Sequence, residues 1–178
     1  MKFSDIKPFI RSGSYEIDVS LYHLKRTLSN WEEDYGLELN PDFQRGHVWT
    51  EEQQSAYVEF LLRGGVTSKV IYFNSPAFGG DKGGDLDETI LCVDGLQRLT
   101  ACLKFLNNEI KVFNHYYDEF EGSLRMMQGL KFNVNCLNKR ADVLEWYLQF
   151  NEGGTIHTKE ELDRVRKLLE LEQNKLTQ

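Results

Sequence analysis

Hydrophobic positions along the chain follow two different spacings, and these predict a mixture of strands and helices. Runs rich in β-branched and aromatic residues predict strands at 15–19, 69–73, 89–93 and 109–113, with a short extended piece at 37–39. Apolar residues that recur every three or four positions predict helices at about 21–31, 51–63, 99–106 and 139–149, and a final helix that frays at 173–178. Because the elements do not alternate as regular strand-helix-strand units, the predicted class is α+β.

Helix signals refine this outline. Ser20 is predicted to cap the first helix, and Thr50 with Gln53 forms a capping box that opens the second. Thr158 with Glu161 repeats that pattern before the final helix. The inward side chains of the second helix are predicted to be Ala56, Tyr57, Phe60 and Leu61. The glycine-rich stretch 75–88 has no apolar period and is predicted to be a mobile surface loop.

Length predicts one domain over 1–178, with a core at about 15–115 and a C-terminal helical part at about 138–175. The three cysteines are too few and too scattered for a disulfide framework or a paired zinc site. They indicate buried thiols in a reducing compartment. No signal peptide pattern and no stretch of about 20 apolar residues occurs, so we expect a cytoplasmic protein without a membrane partner.

Charge limits the class of ligand. The chain has 21 basic and 28 acidic side chains, a net charge of -7. Such a balance repels nucleic-acid phosphates in general, so broad non-specific binding to duplex DNA is not expected. A small pocket needs only a few arginines and is compatible with this composition.

The segment Asp94-Gly95-Leu96-Gln97-Arg98 carries the most chemistry, because it follows an apolar strand and opens a helix. A helix N-terminus presents unpaired backbone N–H groups, which favour an anion. Gly95 permits close backbone approach, Arg98 suits two phosphate oxygens, and Gln97 can donate beside it. Asp94 suits a magnesium ion or orients the arginine. The alternative is that Asp94 caps the helix and Arg98 is solvated.

A second polar loop, 41–49, repeats a Gln-Arg pair at Gln44 and Arg45 before a capped helix. Two such pairs in an acidic domain suggest a shared anionic target. We therefore predict that Gln44, Arg45, Asp94, Gln97 and Arg98 converge on one cleft. The alternative for Arg45 is a surface salt bridge, and Trp49 is favoured as a core anchor.

These two motifs, PDFQRGHVW and VDGLQRLT, with LKFLNNE after the second, resemble the ParB/sulfiredoxin-like family with a DGQQR motif, found in the GmrS half of GmrSD restriction enzymes. The resemblance implies a small mixed sheet packed with helices and a turn that binds nucleotide phosphates. It also implies NTP hydrolysis, as in several members, where it regulates cleavage of foreign or modified DNA. By position, Asp94 and Arg98 are the implied catalytic residues. The implied nucleotide-binding residues are Gln44, Arg45, Gly95, Gln97, Arg98 and, from a later Asn-x-Gly-Gly segment, Asn151.

Three positions depart from the family pattern: Leu96 replaces a glutamine, Gln149 an arginine, and His157 an apolar residue. No HNH nuclease pattern or Cys/His metal cluster occurs, so DNA cleavage by this chain alone is not expected. The leading interpretation is a short, stand-alone NTP-binding domain, from bacteria or phage, with Mg2+ at Asp94, linked to restriction or anti-restriction. The alternative is a non-catalytic module that binds DNA or a nuclease partner protein. Homo-oligomers are compatible with either, and a sulfiredoxin-like phosphotransferase is disfavoured because no cysteine lies at the turn.

Overall fold

A four-stranded mixed sheet forms the centre of the protein in a computed structural model that describes residues 15–46, 48–79, 83–126, 128–152 and 159–175. Its strands are β1 (Tyr15–Ser20), β2 (Val70–Asn74), β3 (Leu91–Asp94) and β4 (Gly129–Asn135), in the order β1-β4-β2-β3. β4 pairs antiparallel with β1 and parallel with β2, and β2 pairs antiparallel with β3. The predicted α+β class is confirmed.

Helices cover both faces of the sheet. They are α1 (Leu24–Tyr35), α2 (Glu51–Leu62), α3 (Leu96–Leu106), α4 (Arg140–Glu152) and α5 (Lys159–Lys175). The larger core cluster joins α1, α2 and α3 to one face of the sheet, where Ile71, Phe73 and Phe132 are fully buried. The smaller cluster joins α4 and α5 to the other face through Leu91 and Val93. Successive residues of β3 point to opposite faces, which is why Cys92 belongs to the first cluster.

The central strand β4 was not predicted from the sequence. Leu130, Phe132 and Val134 alternate with polar residues, and this period of two was the available signal. These three side chains are buried against α1 to α3, while the backbone bonds to two neighbouring strands. The strand therefore holds β1 to the rest of the sheet.

The prediction of a strand at 109–113 is wrong. The chain there makes a tight reversal with one isolated bridge between Val112 and His115, and Phe113 and Asn114 have positive φ. Ile110 and Val112 are nevertheless buried in the larger core. These residues have high β-propensity, but they are buried without pairing with a neighbouring strand. Propensity alone does not distinguish a buried turn of this kind from a strand.

Helix signals were confirmed in part. Both hydrogen bonds of the Thr50–Gln53 capping box are present, whereas the Ser20 side chain makes no capping bond.

Tyr57 and Leu61 are buried as predicted, but Ala56 and Phe60 are exposed. Val58 and Gln54 point inward instead, because α2 contacts the core with a face rotated by about one position. Thr158, the predicted cap of α5, lies outside the described residues.

The stretch 75–88 is more structured at its start than predicted. Pro76–Phe78 forms one turn of 3-10 helix, and Ser75 and Pro76 are buried. Residues 80–82 lie outside the described part, and Asp85 and Leu86 beyond them donate backbone N–H groups to Asn138 O. Among the described helices, none has both the length and the apolar character needed to cross a bilayer.

Candidate functional site

A cavity of about 390 Å³ lies where β3 ends and α3 begins. Its volume falls in the range of roughly 300 to 1,000 Å³ that small-molecule sites occupy. Its walls are formed by the 41–49 loop, the turn at Asp94 and Gly95, and the helices α2, α3 and α4. Its lining residues are Gln44, Arg45, Trp49, Tyr57, Ser68, Asp94, Gly95, Leu96, Gln97, Arg98, Tyr147, Phe150 and Asn151. Every site residue predicted from the sequence therefore lines one cavity, including Asn151 from a distant segment.

Gly95 forms the N-terminal boundary of α3 in a left-handed conformation, with φ 102°. A Cβ at this position would lie 2.7 Å from Ile71 Cδ1 and 3.2 Å from Ile71 Cα, so a side chain has no room against β2. Among the residues that the structure describes, no side chain caps the helix at Gly95. The first turn of α3 thus begins at the cavity wall with its N-terminal amides unmatched by a side-chain cap, as an anion site requires.

Arg98 is held in place inside the cavity. Its Nη2 donates to Asp94 Oδ2, and its Nη1 donates to the carbonyl of Ser68 at 3.3 Å. The Arg98 side chain is only 17% exposed. The alternative of a solvated Arg98 and a helix-capping Asp94 is therefore wrong, because the Asp94 carboxylate accepts from Arg98 and orients it.

The two glutamines of the Gln-Arg pairs cross between the loops. Gln44, which is buried, donates through Nε2 to Cys92 O and Val93 O at the end of β3. Gln97 reaches the other way. Its Oε1 accepts from Val48 N and Trp49 N, and its Nε2 donates to Gly46 O.

These five hydrogen bonds direct Nε2 of Gln44 and both ends of the Gln97 amide to backbone groups. The glutamines, which sequence reasoning assigned to ligand binding, are placed here as braces that fix one loop against the other. The arginine that follows each glutamine is thereby held at the cavity wall.

Arg45 contacts the C-terminal helix. Its Nη1 lies 3.8 Å from Glu161 Oε2, and Arg164 of the same helix donates to Gln44 O at 2.7 Å. Sequence reasoning missed both α5 residues as parts of the site, since nothing in their local pattern indicates what they face. Their contacts make α5 a support for the 41–49 loop.

Aromatic side chains form the rest of the wall. Trp49 packs edge-on against Tyr57, with ring centroids 5.5 Å apart, which fits the predicted core anchor. Burial raises the pKa of Tyr147, and the neighbouring Arg45 opposes that rise. Burial likewise raises the pKa of Tyr57, whose hydroxyl donates to Ser68 O at 2.8 Å. Both phenols are therefore neutral near pH 7.

Two predicted features of the cavity remain, namely Asn151 and a metal site at Asp94. The Asn151 side chain donates to Tyr147 O at 2.7 Å, one turn back along α4. In the described part of the chain, no three His, Cys, Asp or Glu side chains gather as a preformed metal site. Asp94 is one carboxylate at the cavity. His47 and His157 lie outside the described residues.

The comparisons with known proteins agree with the resemblance seen in the two motifs. The family model for the GmrSD restriction endonuclease, N-terminal domain, matches residues 25–176. No curated protein and no solved structure matches the chain. The matched range includes the cavity, both Gln-Arg pairs and all five helices but for the first residue of α1. The chain therefore belongs to the family of GmrSD restriction endonuclease N-terminal domains, which associates it with restriction systems.

Proposed function

We propose that this chain is a nucleotide-binding domain of a restriction system and that it holds NTP phosphates against the start of α3. The observation that carries the proposal is the meeting of three features in one cavity: an uncapped helix N-terminus, Arg98 and Arg45. Each supplies hydrogen-bond donors or positive charge to an anion. Arg98 lies in the first turn of α3 itself, whereas Arg45 comes from a loop about 50 residues earlier, so only the tertiary structure brings Arg45 to the same cavity.

A phosphate has to compete with the carboxylates that the two arginines face in this structure. Arg98 is paired with Asp94, and Arg45 lies near Glu161. A triphosphate has more negative charge than one carboxylate and offers several oxygens to a planar guanidinium. We expect Arg98 to retain its Asp94 contact on one edge while another edge turns to phosphate.

Mg2+ fits this cavity as a co-ligand of the nucleotide. It commonly binds through one or two carboxylates together with substrate phosphates, so a three-ligand protein cage is not needed. Asp94 is the residue that would hold it, and bound Mg2+ would neutralise phosphate charge. Such neutralisation would also ease the approach of a triphosphate to Asp94.

The aromatic wall suits the nucleotide base. Phe150 lies next to Asn151 on α4 and Trp49 lies on the 41–49 loop, and both partly buried side chains line the cavity. Aromatic faces stack on bases without strong preference among them. With the base against these aromatic side chains, the triphosphate of the same nucleotide would extend to the start of α3.

Hydrolysis is the further step of the proposal. Arg98 would stabilise the charge that develops on the transferred phosphoryl group, and Asp94 would keep Arg98 oriented. The expected activity is phosphate release from an NTP. Its measurement separates an NTPase from a domain that only binds.

A thermal-shift panel tests binding first. ATP, GTP, CTP and UTP are each added with and without Mg2+, and a ligand at a hundredfold its dissociation constant adds about 2.7 kcal/mol of stability. A response to one or more nucleotides supports the proposal. No response to any of them, confirmed by calorimetry, rejects it and favours the non-catalytic interaction module.

Arg98→Ala tests the site. We expect nucleotide binding to weaken by about 1.5 to 3 kcal/mol, roughly ten- to a hundredfold. Arg98→Lys restores only part of this, because an ammonium cannot make two parallel bonds. Arg125→Ala is the control, since that exposed arginine lies away from the cavity.

Calorimetric titration of these variants with the best nucleotide gives the affinities, and urea unfolding reports any loss of stability from the unpaired Asp94. Equal affinities in all of them would exclude this turn as the phosphate site.

A further inference from the structure

A second concave surface lies at the end of the sheet where β1 finishes and where β2 and β4 begin. It encloses about 810 Å³, and we call it the basic groove. Its basic members are His23, Arg26, Lys69 and Lys131, and its one acidic member is Asp18. The basic members come from the turn before α1, from α1, from the residue before β2 and from β4, so the fold has to assemble them.

We propose that the basic groove binds the sugar-phosphate backbone of single-stranded nucleic acid. Arg26 and Lys69 carry the proposal. Neither side chain makes a hydrogen bond or ion pair with the described part of the protein, although the chain is acidic overall. Lys131 lies 3.5 Å from Glu16 and 3.9 Å from Asp18, two exposed carboxylates on the edge strand.

Ser20 provides an independent observation in the same groove. Its residue is 8% exposed, and its Oγ has no hydrogen-bond partner among the described residues. An unpaired hydroxyl in such a position is unfavourable, and a phosphate would satisfy it once the atoms that cover the end of β1 move aside. A phosphate oxygen accepts from both a hydroxyl and the neighbouring cations.

The shape and the rim distinguish a single strand from other anions. The groove is about twice the volume of the nucleotide cavity, too large to be filled by one phosphate. Val66 and Met126 are 84% and 65% exposed beside it, and Tyr22 is 61% exposed with its ring edge-on to His23. Single-strand sites combine a positive groove with apolar or aromatic surfaces for the unstacked bases. A duplex offers no free base faces and would bring more negative charge toward an acidic protein.

The groove adjoins the nucleotide cavity without being part of it. Ser68 lines the cavity, and the next residue, Lys69, lines the groove. No other residue number is shared or adjacent between the two linings. The two sites are therefore separable by mutation.

Fluorescence anisotropy with a labelled 12-nucleotide oligothymidylate tests the proposal. Phosphate contacts from Arg26, Lys69 and Lys131 would each contribute about -0.7 to the slope of log affinity against log salt concentration on a single strand. We therefore expect a slope of roughly -2. The variant Arg26→Ala/Lys69→Ala should bind on the order of tenfold more weakly, and its slope should be shallower by roughly 1.4.

Lys139→Ala/Lys167→Ala is the matched control, because it removes two exposed positive charges elsewhere. We expect it to bind and respond to salt as the unmodified protein does. Arg98→Ala should also retain oligonucleotide binding, which separates this site from the nucleotide cavity. Equal weakening by both double variants would reduce the effect to net charge and overturn the proposal.

Two further measurements keep the result independent of folding. Bound oligothymidylate should protect Lys69 and Lys131 from acetylation in the unmodified protein, but not Lys139 and Lys167. A 12-base-pair duplex and inorganic pyrophosphate serve as competitors. Protection absent at Lys69, equal binding of the duplex, or full competition by pyrophosphate at the concentration of oligonucleotide phosphate would each refute a single-strand site.

Discussion

The crossed glutamines make a quantitative prediction about how the site is built. Gln97→Ala deletes three hydrogen bonds, two accepted from Val48 N and Trp49 N and one donated to Gly46 O. The distances are 2.9, 3.1 and 3.1 Å, all within the normal range. The substitution leaves α3 intact because alanine favours helices. Its cost therefore reports the attachment of the 41–49 loop.

The magnitude follows from the number and exposure of these bonds. A typical net contribution of about 0.5 to 1.5 kcal/mol each gives an upper limit near 4.5 kcal/mol for three. Two of the bonds are solvent-exposed, so water replaces part of what is lost. We expect the free energy of unfolding to fall by about 1.5 to 2.5 kcal/mol, toward the lower part of that range.

Urea unfolding followed by circular dichroism measures this change. With a slope of about 2 kcal/mol per molar urea, the midpoint should fall by roughly 1 M. Gln149→Ala is the matched control, because among the described residues the Gln149 amide makes one long hydrogen bond, 3.5 Å from Nε2 to Glu145, and its Oε1 has no partner. That control should stay within about 0.5 kcal/mol of the unmodified protein.

Gln97→Glu separates the two directions of bonding. The carboxylate still accepts from Val48 N and Trp49 N, but it cannot donate to Gly46 O and places a charge beside that carbonyl. Its stability should lie between those of the unmodified protein and Gln97→Ala. If Gln97→Ala costs no more than Gln149→Ala, the idea that the glutamine braces the loop is wrong.

Two further predictions concern the turn and the thiols. Gly95→Ala should lower the free energy of unfolding by about 1 to 3 kcal/mol, since φ 102° and the contact with Ile71 both oppose a Cβ; a loss below about 0.5 kcal/mol in urea unfolding would contradict this. Burial raises the pKa of Cys102 to about 12 and raises the pKa of Cys92 as well. At pH 8 a thiol reagent should therefore label Cys136, which is partly exposed, rapidly and the other two cysteines slowly. Rapid labelling of all three cysteines in the folded protein would refute that burial, and urea should expose the other two.

Local sequence signals located the turn between β3 and α3 correctly. A β-branched run that leads into Asp-Gly predicts a strand followed by a turn, and Gly95 adopts the positive φ that such a turn requires. The capping box of α2 formed because Thr50 and Gln53 need only each other's backbone and side chain. Such features lie within a few residues of one another, so neighbours in sequence suffice to determine them.

Partners across long distances were decided only by the tertiary structure. Val112 and Phe132 both have high β-propensity, yet only Phe132 lies in a strand, because β1 and β2 are both available to bond β4. Gln44 and Gln97 looked like ligand donors in sequence, and packing turned both amides toward backbone groups about 50 residues away. The sequence by itself determined which residues bring polar and charged chemistry to the turn. Chain topology decided what each one faces, because hydrogen bonds and ion pairs depend on distances in space.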